Sequence, residues 1–130
     1  MIGSGRMGSF HGRTLSRRLP GARLVAVADP ASGAADRLAR DLGAARAYTD
    51  PAQVWSDPEI DAVVIAAPAR FHTDLIVAAA RAGKHVFGEK PMAITLADAD
   101  RAIDACRTAG VHLQIGFNRR FAPTGRPPAP

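Results

Sequence analysis

The chain has 130 residues, about one domain's worth, and its 47% apolar and 22% charged residues give a globular balance that argues against disorder as a whole. Charges, Gly or Pro interrupt each apolar run well short of the ~20 residues a membrane helix needs, and no secretory signal opens the chain. The net charge of +5 is carried almost wholly by Arg, and with aromatics at only 5% it lacks the aromatic-interleaved basic face of a nucleic-acid binder.

In chain order the punctuation alternates strand and helix. Met1-Ile2 is apolar and runs into a Gly-rich turn, and Met7 to Leu19 reads as a helix stopped by Pro20-Gly21. Ala22 to Ala28 reads as a strand ended by Asp29-Pro30. Ala35, Leu38, Ala39 and Leu42 stand at helical spacing before Gly43, a C-terminal stop. Ala45 to Tyr48 makes a short strand, and Asp50-Pro51 starts a helix with Asp as its cap. Asp61 to Ala67 is an apolar run suited to a strand covered on both faces. A helix over 72–82 ends at Gly83, and His85-Val86-Phe87 is a strand. Thr95 and Asp98 resemble a capping box for a helix reaching Ala109, with Gly110 as its stop. Val111 to Phe117 is the last strand. Residues 1–121 form one domain, and the Pro-rich stretch 122–130 reads as a structureless tail. Such alternation implies an α/β, doubly wound parallel sheet with right-handed crossovers.

Four segments carry chemistry. Gly3-Ser4-Gly5-Arg6-Met7-Gly8 is a G-x-G-x-x-G string at a strand-to-helix junction. Gly3 permits a tight turn, Gly5 lets backbone N–H groups approach a pyrophosphate, and Gly8 lets the helix pack close to the strand. The helix N-terminus adds donors and a positive dipole end. Asp29 follows 21 residues after Gly8 at a strand end, where a carboxylate accepts from both adenosine ribose hydroxyls and repels a 2′-phosphate. That favours NAD over NADP. Glu89-Lys90-Pro91 follows a strand's carboxyl end, where ligands lie in such sheets. Lys90 there holds a substrate hydroxyl or helps its proton leave, and Glu89 orients Lys90 or binds the nicotinamide ribose. Taken alone, these three residues read more simply as an exposed charged loop. His72, in Pro68-Ala69-Arg70-Phe71-His72, contacts a cofactor or caps the following helix. Asn118, Arg119 and Arg120 read as a solvated basic turn. No His/Cys/Asp/Glu cluster has metal-ligand spacing, and His11, His85 and His112 stand isolated in sequence. The single cysteine, Cys106, excludes an internal disulfide framework, reads as a packed thiol and fits a reducing cytoplasm.

Together these residues resemble the glucose–fructose oxidoreductase / inositol dehydrogenase / rhizopine catabolism family (Gfo/Idh/MocA) of NAD(P)-dependent oxidoreductases, with an inositol 2-dehydrogenase-like flavour. The resemblance covers residues 1 to about 122. It rests on Gly3–Gly8, the VADP string at 27–30, the segment from Pro68 to His72, AGKHVFGEKP at 82–91 and GFNRRF at 116–121, in that order. It implies a Rossmann domain in which Gly3, Ser4, Gly5, Arg6, Met7 and Gly8 hold the pyrophosphate and Asp29 the adenosine ribose. It further implies that Pro68 and His72 lie along the cofactor, with Glu89 beside them. Lys90 becomes the active-site lysine, and Asn118 and Arg119 lead toward a substrate domain. The implied cofactor is NAD and the implied substrate a small sugar or polyol, oxidised at a secondary hydroxyl. Neither a nucleic acid nor a membrane partner is implied, and an oligomer is possible.

Two departures from the family pattern set further expectations. The first strand is clipped to Met1 and Ile2, so its neighbours in the order 3-2-1-4-5-6 are expected to lack a pairing partner over several residues. The family continues into an α/β substrate domain where this sequence ends in Pro-rich residues, so the chain alone is expected to bind NAD weakly and turn over little. The rival reading is a non-catalytic nucleotide-binding module that senses NAD or complements a partner chain.

Overall fold

In the computed structural model, which describes residues 1–122, strands and helices alternate as the punctuation predicts. The strands are β1 Ala26–Ala28, β2 Arg46–Tyr48, β3 Ala62–Ile65, β4 His85–Gly88 and β5 Leu113–Ile115. The helices are α1 Arg6–Arg17, α2 Ala34–Leu42, α3 Ala52–Trp55, α4 His72–Arg81 and α5 Leu96–Ala109. All pairings are parallel: β1 with β2, and β4 with both β3 and β5. Ile2 links the two sets by single parallel bridges to Ala28 and Ile65. Counted through Ile2, the order is β2–β1–Ile2–β3–β4–β5, the doubly wound arrangement expected.

Side-chain alternation explains why the strand sequences are apolar at successive positions. Met1 and Val27 join Leu38, Ala39 and Leu42 of α2 on one face. Ile2, Ala26, Ala28 and Ile65 join Ile76 and Ala79 of α4, with Ala102 and Cys106 of α5, on the other. Both faces are thus covered, as parallel strands require. Cys106 is the packed thiol expected, and burial pushes its pKa up. Helices stop where glycine takes up the left-handed conformation: Gly43 ends α2 and Gly110 ends α5. The Thr95 hydroxyl accepts from the Asp98 N–H at 3.1 Å and donates to the Asp98 carboxylate at 2.9 Å. Asp50 accepts from the Ala52 N–H at 2.8 Å and starts α3.

Several strands are shorter than the apolar runs suggested, and the reason lies in pairing. Ala22 to Ala28 contracts to β1 because only its final residues have a neighbour on both sides. Leu24 and Val25 remain buried, and Val25 accepts from the Arg46 N–H at 3.1 Å. The expected loss of partners beside the first strand is what the structure shows. Ile2 donates to Val64 and accepts from Ala66, each at 2.8 Å, and Met1 accepts from Ala28 at 2.8 Å. Below Met1 the sheet opens into a cleft of about 600 Å³. At β5, an edge strand, Val111 to Phe117 contracts to three residues. The Pro-rich tail expected from residue 122 lies outside the described residues, apart from Ala122 itself. Among the described residues no helix is long and apolar enough to cross a membrane.

Candidate dinucleotide-binding site

The glycine loop runs from Ile2 into α1, and each glycine meets a separate demand. Gly3 has φ +93°, and a Cβ there would lie 2.7 Å from the Ala66 carbonyl carbon. A Cβ on Gly8 would come within 2.0 Å of the Gly3 carbonyl oxygen, so α1 sits against the loop only with glycine there. Gly5 is the opposite case: nothing lies within 4 Å of the place its Cβ would take. The first turn of α1 holds no acidic residue and Gly5 provides no side-chain cap, so its leading N–H groups are open to an anion.

Asp29 closes β1 and is tied to this loop. Its Oδ2 accepts from the Ser4 N–H at 2.8 Å and the Ser4 hydroxyl at 2.6 Å, and its Oδ1 accepts from the Ala31 N–H at 2.8 Å. Burial would raise its pKa, but the bonds from the Ser4 hydroxyl, Ala31 and the Ser4 backbone outweigh it and hold the carboxyl below its usual range. Glycines and carboxylate therefore form one unit. Beside them lies a largely apolar cavity of about 860 Å³. Of the predicted positions, Gly3, Gly5, Arg6, Met7, Asp29 and Pro68 line it. Ser4 is turned to Asp29, and Gly8 lies beneath the loop. Sequence reasoning missed part of the wall: Arg70, Phe71, Asp74 and Leu75 also face the cavity, and the Arg70 guanidinium lies 4.5 Å from the centre of the Phe71 ring. Arg70 and Phe71 lie on the 3₁₀ turn Ala69–Phe71 and Asp74 and Leu75 in the first turn of α4, and helical spacing carries no signal that they face a cavity.

Lys90 is exposed at the carboxyl end of β4, and the Lys90–Pro91 peptide is cis. The other lysine, Lys84, is buried and donates to the Asp57 carbonyl at 2.8 Å, so Lys90 alone of the two faces the ligand end. Glu89 departs from the expected arrangement. One carboxylate oxygen lies 2.6 Å from His11 Nε2, and the other accepts from the Lys90 backbone N–H at 3.3 Å, so its bonds run to α1 and to the backbone of its own turn. His11 is therefore not isolated; it joins α1 to the turn, with its ring edge-on to Phe87 at 5.4 Å. His85 and His112 are not isolated either, and stack at 5.0 Å at the far end of the sheet. His72 is 2% exposed, with Nδ1 2.7 Å from the Pro91 carbonyl and Nε2 2.7 Å from that of Ala67. It ties two loops together beneath the cavity. Asn118 and Arg119 lie exposed on a short 3₁₀ turn beyond β5, off the cavity wall. Among the described residues no group of three or more His, Cys, Asp or Glu is placed to hold a metal.

An open helix N-terminus, a glycine cradle and a strand-end carboxylate at the switch point of a doubly wound sheet define a dinucleotide-binding α/β protein. Residues 1–117 match the family model GFO_IDH_MocA, described as an oxidoreductase family with an NAD-binding Rossmann fold, and the chain belongs to that family. It is 43% identical over 123 residues to scyllo-inositol 2-dehydrogenase (NAD(+)) of Bacillus subtilis, covering 95% of this chain and 36% of that protein. It is 40% identical over 121 residues to myo-inositol 2-dehydrogenase of Thermotoga maritima, with 93% and 36% covered. The crystal structure of scyllo-inositol dehydrogenase from Lactobacillus casei with bound NAD(H) and scyllo-inositol superposes with a TM-score of 0.87 at 30% identity, over 94% of this chain and 36% of that one. The chain thus spans about 36% of the length of the curated relatives it matches.

Proposed function

We propose that residues 1–121 are the NAD-holding part of an oxidoreductase that oxidises a secondary hydroxyl of an inositol-like polyol. The observation that carries this reading is the open face of Gly5 at the N-terminus of α1, inside the cavity that Asp29 borders. There the N–H groups of Gly5, Arg6 and Met7 meet the pyrophosphate, with Gly3, Ser4 and Gly8 fixing the turn. Asp29 keeps lone pairs for the adenosine ribose beyond those given to Ser4 and Ala31. Pro68 forms wall, while His72 supports that wall through Ala67. Glu89 sets the Lys90 turn through His11. When bound, NAD supplies the hydride acceptor. Lys90 holds the substrate hydroxyl and the proton that leaves it, and Asn118 and Arg119 lead toward the substrate side. The relatives named are dehydrogenases, so nothing in them favours a non-catalytic sensor. The lone, buried thiol fits a cytoplasmic setting.

The test is cofactor choice. Titrating NAD and NADP by calorimetry, Asp29→Ala should weaken NAD at least tenfold and narrow the gap to NADP. Equal NAD affinity in the variant and the parent chain would overturn the assignment.

A further inference from the structure

Asp29 does not offer the cavity a free carboxylate. Its Oδ2 already receives two donors, both from Ser4: the backbone N–H at 2.8 Å and the hydroxyl at 2.6 Å. Its Oδ1 receives one, the Ala31 N–H at 2.8 Å. The carboxyl is held below its usual range, so it stays an anion that can only accept. Each carboxylate oxygen has about two acceptor positions. Oδ2 is therefore filled, and what Asp29 has left for a ligand lies on Oδ1.

The backbone keeps the two residues in this register. The Gly3 N–H donates to the Ala28 carbonyl at 2.9 Å, and the Asp29 N–H donates to that of Tyr48 at 3.0 Å. The Ser4 carbonyl accepts from the Ser9 hydroxyl at 3.4 Å, which ties the loop to α1. Ser4 lines a second, smaller cavity with Ser9, Arg37 and Asp41, and not the large one that Asp29 borders. Its hydroxyl thus reaches Asp29 from outside the ligand cavity. The backbone N–H at position 4 would bond Oδ2 whatever side chain stood there. The second place on Oδ2 is taken only because the residue is a serine.

We infer, resting on the NAD-holding role proposed above, that Ser4 sets how the adenosine ribose is read: with its hydroxyl on Oδ2, Asp29 takes one ribose hydroxyl, on Oδ1, and not two. A carboxylate held only by the two backbone N–H groups would keep a position on each oxygen and accept both hydroxyls. Ser4 is a positioning residue in this scheme, since it touches Asp29 and not the sugar. It makes the chain indifferent, at Asp29, to one of the two ribose hydroxyls.

The experiment uses NAD and two analogues that lack the 2′- or the 3′-hydroxyl of the adenosine ribose, titrated by calorimetry. In the parent chain one analogue should bind at least tenfold more weakly than NAD, and Asp29→Ala should abolish that difference, the mark of one hydrogen bond to a charged group. Any deficit of the other analogue should be the same with or without the Asp29 carboxylate. In Ser4→Ala both deficits should depend on Asp29, shown by comparison with the Ser4→Ala/Asp29→Ala double variant. Ser4→Thr, which restores a hydroxyl, should behave as the parent. Two deficits in the parent chain that Asp29→Ala abolishes together would overturn the inference and leave the NAD role standing. That comparison involves no change at Ser4, so it decides even where Ser4→Ala fails to fold. A Ser4→Ala chain in which only one deficit depends on Asp29 would overturn the part given to Ser4. No binding of NAD, or equal binding of all three ligands, by the parent chain would sink the NAD role and the inference together.

Discussion

Gly5 and Gly8 stand three residues apart in one motif, yet they answer to different forces. At Gly8 a side chain collides with backbone, the Gly3 carbonyl oxygen, which cannot swing aside as a flexible side chain would. Gly8→Ala should therefore cost about 1–3 kcal/mol of stability or more, the range of forced overpacking, read from urea midpoints. Gly5 adopts extended backbone with open space around it. Gly5→Ala should leave the urea midpoint unchanged while weakening NAD at least tenfold, because the methyl group stands where the pyrophosphate approaches. A Gly5→Ala chain that binds NAD normally would show that the phosphate sits elsewhere.

At the scale of elements, the turn that carries Lys90 is held from two helices at once. His11 reaches Glu89 from α1, and His72 reaches the Pro91 carbonyl from α4. Since His72 is almost fully buried, replacing its ring with an apolar side chain takes its N–H donor away from the Ala67 and Pro91 carbonyls that face it. His72→Leu should cost about 2–4 kcal/mol in denaturant melts, against little change for a surface histidine such as His112. Stability unchanged in His72→Leu would mean that the two loops are held by their own backbone. Neither tie is visible in one dimension. His11 and Glu89 lie 78 residues apart, and only the parallel sheet, which sets α1 beside the end of β4, brings them together.

For the whole molecule, what could be read in the sequence divides by the range of the interaction behind it. The glycine loop and the glycine stops of α2 and α5 were legible because each is set by neighbours a few residues away; Asp29 was legible as the acid closing a strand, but its bonds to Ser4, 25 residues back, were not. Strand existence was legible from apolar runs and their spacing, while the sheet order came with the family resemblance. Strand length was not legible. Leu24 and Val25 read as strand and are buried like strand, but a residue joins a ladder only where a partner faces it. The far wall of the cavity, Arg70 to Leu75, was equally hidden, because helical periodicity says which residues share a face and not which loop that face meets. The histidines show the same limit, since each of the three set aside as isolated finds its neighbour only through the fold.

The tie made by His72 also restricts how the molecule moves. Its ring fastens the strip of backbone after β3 to the bend after β4, so the two shift as a single plate. A ligand resting on that strip fixes the height of the Lys90 bend as well, and neither can adjust without dragging the other.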